Sequence, residues 1–186
     1  ADSIYINGGE VVQNGDISSI NLLLGIAGDA TNFQRISGSL AVDQLQLSSG
    51  SQLNLSGIDT VAGATLFGDS LLTYQQLNGQ MTGLDLQGLL IESGSNLNLL
   101  FDGVTGDGLD WGLRLAGDQQ FLLNELLGDG RLTSNWMDAD IVYDAGAYGD
   151  YTYFGAFTAV PEPSACTLLA VATMAVTTLR RRERQS

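Results

Sequence analysis

The side chains able to do chemistry in this chain are mostly acids. Its 186 residues hold 21 Asp and Glu against seven basic residues, with no histidine and no lysine. Without imidazole, Ser-His-Asp and Cys-His nucleophile pairs are excluded, as are His metal sites. No glycine-rich run ends in the lysine that a phosphate cradle needs. Paired carboxylates can run glycoside hydrolysis, but nothing in the spacing selects two of the nineteen acids that precede residue 160. Polysaccharide cleavage by elimination needs a basic residue near the sugar. Only Arg35, Arg114 and Arg131 are available there, each more simply an ion-pair partner in an acidic protein. The sequence predicts a non-enzymatic protein.

Two binding chemistries remain. The segment Asp102-Gly103-Val104-Thr105-Gly106-Asp107-Gly108-Leu109-Asp110 places Asp102, Asp107 and Asp110 among glycines. Carboxylates and backbone carbonyls are hard ligands suited to calcium. The spacing matches neither an EF-hand loop nor the Gly-Gly-x-Gly-x-Asp repeat, and an Asp/Gly-rich solvated turn explains it equally. The second chemistry is aromatic. Trp136, Tyr148, Tyr151 and Tyr153 gather near the end of the chain, where ring faces could stack on sugars; strand packing is the plainer use of such rings. These features suggest a carbohydrate-binding module, with calcium as a possible cofactor. The segment before residue 160 has a formal charge of −16, which repels phosphate backbones and argues against nucleic acid as a partner.

The elements that must position these residues read as β. Ile4–Ile6, Val11-Val12 and Ile17–Leu24 are predicted strands, broken at Asn7-Gly8-Gly9 and Asn14-Gly15-Asp16. Leucines at 40, 45, 47, 53 and 55, with Val42, recur 44 residues later as Leu84, Leu86, Leu89, Ile91, Leu97 and Leu99. Even the three-residue step from Val42 to Leu45 is repeated, which predicts a bulge or corner. Ser49-Gly50-Ser51 and Ser93-Gly94-Ser95 mark matching turns. A fixed period of alternating strands predicts a solenoid whose units bury their leucines on one another. Trp111, Leu113 and Leu115 alternate along a further strand. Asp118 is a candidate N-cap for one short helix, Gln119–Leu127, whose leucines could cover an open end. The predicted fold is an all-β solenoid, right-handed and β-helix-like, with a β-sandwich as the alternative.

Residues 160–186 differ from this body. Val160-Pro161-Glu162-Pro163-Ser164 is stiff and extended, because each proline fixes its own φ and restricts the residue before it. Ala165–Leu179 has no charge and would form a hydrophobic helix of roughly 22 Å at ~1.5 Å per residue. That is short of the ~30 Å hydrocarbon core, so it suits a temporary transmembrane handle better than a permanent span. Arg180, Arg181, Arg182 and Arg184 follow, and their charge holds the tail's end on the cytoplasmic side. The lone cysteine, Cys166, sits inside the apolar run as a small filler.

This order of motif, apolar segment and arginine cluster resembles the PEP-CTERM sorting signal of bacterial exosortase substrates. The resemblance covers residues 160–184. It implies export, membrane tethering at the inner membrane, recognition of the Pro-Glu-Pro region by exosortase and removal of the tail. It also implies a setting of extracellular polysaccharide. Four threonines, at 167, 173, 177 and 178, depart from the usual Leu/Gly-rich segment. Ala1-Asp2-Ser3 suits a terminus left after cleavage of an export signal. The expectation is therefore two parts: an exported β body over 1–159, with its internal repeat at 40–55 and 84–99, and a sorting signal over 160–186. Its destination is the cell surface or extracellular matrix.

Overall fold

In the computed structural model of the protein, residues 3–76, 83–101, 110–136, 139–144 and 150–156 are described. The sorting motif, the apolar segment and the arginine cluster lie outside them. So do Asp102, Asp107 and Tyr148. Asp110 enters only through its backbone, at the start of a strand.

The body is a β-solenoid of about four turns with one short helix, in place of the sandwich alternative. Each turn lays one strand in each of two parallel sheets. The first sheet contains β1 (Ser3–Ile6), β3 (Ile17–Leu24), β5 (Leu40–Leu47), β7 (Thr60–Leu66) and β10 (Gly88–Ile91). The second contains β2 (Gly9–Asn14), β4 (Thr31–Ser37), β6 (Gln52–Ser56), β8 (Leu71–Gln75), β11 (Asn96–Leu100) and β13 (Leu132–Ser134). A third, mixed sheet runs in the order β14 (Asp140–Asp144), β15 (Tyr151–Ala156), β12 (Asp110–Ala116), β9 (Leu84–Leu86).

Register explains the repeat. Leu45 pairs with Ala64, which pairs with Leu89; Leu53 pairs with Leu72, which pairs with Leu97. The period of 44 residues is thus two turns, one of 19 and one of 25. The matching sequences are second neighbours in the stack, and the intervening turn carries Val61, Ala64, Leu66, Leu72 and Tyr74 in the same columns. These columns are almost wholly buried.

The three-residue step is a corner. Val42 and Leu45 are buried while Asp43 and Gln44 between them are exposed. Pairing with β7 keeps the same register on both sides of the step, so no extra residue is inserted. In the repeat copy the strand breaks there, between β9 and β10, with Gln87 and Gly88 exposed.

The Ser-Gly-Ser turns also have a physical use. Gly50 and Gly94 take φ of 74° and 88°, the left-handed region that glycine enters without a Cβ penalty. Ser51 and Ser95, both buried, then use their hydroxyls as acceptors for the backbone N–H groups of Thr31 and Ser70, at 3.0 and 3.1 Å. A small hydroxyl completes the hydrogen bonding where the chain turns into the second sheet.

The helix α1 (Gln120–Gly128) is the predicted one, shifted by a residue. Asp118 accepts the Gln120 N–H at 3.2 Å, while Gln119 occupies the N-cap and makes no side-chain cap bond. Leu123 and Leu126 are fully buried in the core, and Leu122 and Leu127 pack against it. Among the described residues no helix is long and apolar enough to cross a membrane.

Candidate functional site

Arg114 is the centre of an interlocked cluster on the third sheet. It lies on β12, directly opposite Asp85 of β9 on one side and Tyr153 of β15 on the other. Its Nε donates to Asp85 Oδ1 at 2.9 Å, and its Nη2 donates to Asp85 Oδ2, a two-pronged ion pair. The guanidinium also lies 5.0 Å from the Trp111 ring centre and 4.5 Å from that of Tyr151. Hydrogen bonding to Asp85 raises the Arg114 pKa further, against a smaller opposing effect of burial. The cation is therefore permanent, neutralised by Asp85 and flanked by two rings.

The sequence expectation placed Trp111 on one strand face with Leu113 and Leu115. The structure differs. The pairing with β15 shifts between Trp111 and Leu113, and this irregularity at Gly112 puts Trp111 beside Arg114, while Leu113 and Leu115 enter the core. A bulge re-aims the side chain that precedes it.

Of the sequence-predicted aromatic residues, Tyr151 and Tyr153 come together, with ring centres 6.3 Å apart. Tyr153 is only 5% exposed and meets Trp111 edge-on at 6.0 Å. Tyr151 is half-buried beside Arg114. Trp136 is elsewhere, partly buried against the core with its ring centre 4.4 Å from Phe101. For the calcium reading, no group of three or more potential ligand residues occurs among the described residues, and the side chains of Asp102, Asp107 and Asp110 lie outside them.

Beside the cluster runs an open groove of about 750 Å³. Its floor is the outer face of β3, β5 and β7, where Ser18, Ala41 and Thr60 stand in register. Its wall is Asp85, Trp111 and Arg114. The groove exists because β9 leaves the first sheet to pair with β12 while β10 resumes pairing with β7. Sequence reasoning missed Asp85, Trp111 and Arg114 as a group. Arg114 and Asp85 are 29 positions apart, and only the pairing of β9 with β12 joins them.

Comparison of the chain with family models, curated proteins and solved structures finds no match in any of the three.

Proposed function

We propose that this chain is a non-enzymatic exported protein, sorted and processed through its C-terminal signal by exosortase and then held at the cell surface or in the extracellular matrix. The observation that carries the reading is the order Val160–Ser164, Ala165–Leu179, Arg180–Arg184. The inner membrane is its tether before processing. The body fits such a role. Its one-dimensional stack is held by leucine columns and hydroxyl bonds, and it has no cysteine to require oxidative pairing. The winding is read as right-handed, the hand in which strand-crossover-strand units run.

Expression of the chain with and without residues 160–186 in an exosortase-bearing host tests this. The full chain is expected to reach the outside in shortened form, and the truncated chain to escape processing. A full chain that keeps its whole length and stays inside the cell in that host would overturn the proposal.

A second reading, a carbohydrate-binding module, draws support from one specific observation: the groove walled by Trp111 and the ring-flanked Arg114.

A further inference from the structure

We propose that this groove binds a segment of uncharged polysaccharide. The proposal rests on the carbohydrate-module reading and deepens it, by placing the site and fixing the charge of the ligand.

Shape comes first. The volume lies within the ~300–1,000 Å³ typical of ligand sites. The groove crosses successive strands at steps of about 4.8 Å and is open rather than enclosed. A chain can lie along it and leave at either end, as an enclosed cavity would not allow.

Charge narrows the ligand. Arg114 is neutralised by Asp85, and Asp59, also at the groove, is neutralised by Arg35. Among the described residues, the remaining formal charge along the lining is Asp43. A uronate chain or a nucleic acid would therefore meet, among the described residues, one repelling carboxylate and no free cation. A polycation would find a single carboxylate, because the other two are already engaged.

An uncharged sugar matches what remains. Asp43 is an acceptor for vicinal hydroxyls, and Ser18, Thr60 and Gln87 can both donate and accept. Ala41, Ala62 and the exposed Ile20 offer small apolar patches for the C–H faces of the rings. The small floor residues leave room for the chain, and the fixed Arg114–Asp85 pair keeps the wall from collapsing into it.

The test uses the full chain in a sugar-free detergent, with tryptophan fluorescence and calorimetry as readouts. The probes are uncharged glucose and mannose hexasaccharides, a galacturonate hexasaccharide and hexalysine. An uncharged hexasaccharide is expected to bind at least about tenfold more tightly than the galacturonate. Thr60→Arg, which fills the floor, is expected to abolish binding. Asp43→Ala should weaken it about tenfold, the loss expected for one hydrogen bond to a charged group. Circular dichroism checks folding, and Asp43→Ala at an exposed position carries the test if Thr60→Arg fails to fold. Binding of an uncharged sugar that survives both substitutions overturns the groove but leaves the module reading standing. Tighter binding of galacturonate, or binding of hexalysine alone, overturns the ligand class. Binding of no sugar at all overturns both.

Discussion

Arg35 and Asp59 form a two-pronged ion pair inside the solenoid wall, with both N···O distances at 2.5 Å and the Asp59 side chain fully enclosed. The carboxylate does more than balance a charge. Its Oδ1 accepts the Leu40 N–H at 2.8 Å, and its Oδ2 accepts the Ser56 N–H at 2.6 Å. Arg35 in turn donates to the carbonyls of Gly38 and Asn54. One pair thereby satisfies backbone groups in the turns entering β5 and leaving β6, where neither sheet can do so.

Removing Asp59 leaves Arg35 charged and largely enclosed, along with the two stranded N–H groups of Leu40 and Ser56. Asp59→Ala is expected to cost about 3–5 kcal/mol, measured by urea denaturation. The double change Arg35→Met with Asp59→Leu should cost less than the sum of the single changes, because it leaves no unpaired charge. Strict additivity would show that the two residues do not act as a unit.

That pair also marks what the sequence could reveal. Alternating leucines exposed the solenoid because burial imposes a period of two along each strand. The 44-residue repeat exposed the columns, while the middle turn, where Ala64 and Tyr74 replace leucines of quite different volume, gave only weaker strand signals, around 64–67 and 71–75, which β7 and β8 match. The strand β4 had only Thr31 and Phe33 alternating inward, followed by Gln34, Arg35 and an outward Ile36, so the sequence assigned no strand there. The leucine columns were legible from their alternation alone. The Asp85–Arg114 site was not, because its wall depends on β9 choosing β12 over β7, a tertiary choice with no local signature.

The hydroxyl turns predict a specific cost. Ser95→Ala removes the acceptor for the buried Ser70 N–H. A buried donor left without a partner costs about 1–3 kcal/mol. Ser93→Ala, two residues away and exposed, should fall within about 0.5 kcal/mol of the parent. Equal melting shifts for the two would remove the hydroxyls from the account of the turn.

Tyr74 predicts an alkaline limit. Burial pushes its hydroxyl up to about 12, and the nearby Asp59 charge adds to the rise. The folded value is raised above the unfolded value of 10.0, so this contribution is fully present below pH 10 and is lost as pH climbs through about 12. Two units correspond to about 3 kcal/mol. Denaturation midpoints taken between pH 9 and 12 should fall steeply in the parent and less steeply in Tyr74→Phe. A leg of unchanged slope in that variant would assign the alkaline loss to other groups.

Gly112 sets how the site strand meets the core. A Cβ built there would come within 1.9 Å of the Phe101 ring, and one on the facing Gly83 would meet the Gly112 carbonyl at 2.2 Å. Neither contact is possible in place, so glycine at both positions lets β9 and β12 approach while Phe101 packs beneath. Gly112→Ala must therefore displace a buried ring, at about 1–3 kcal/mol for overpacking. Phe101 in turn lies against Trp136, with ring centres 4.4 Å apart. The displacement should shift the emission of Trp136, one of only two tryptophans in the chain. A Trp111→Phe background isolates that signal. Gly112→Ala with Trp111 retained should also loosen the bulge that holds Trp111 beside Arg114, so any ligand bound in the groove should weaken in parallel. Loss of stability with unchanged Trp136 emission would mean that the strain is relieved through β9 rather than through Phe101.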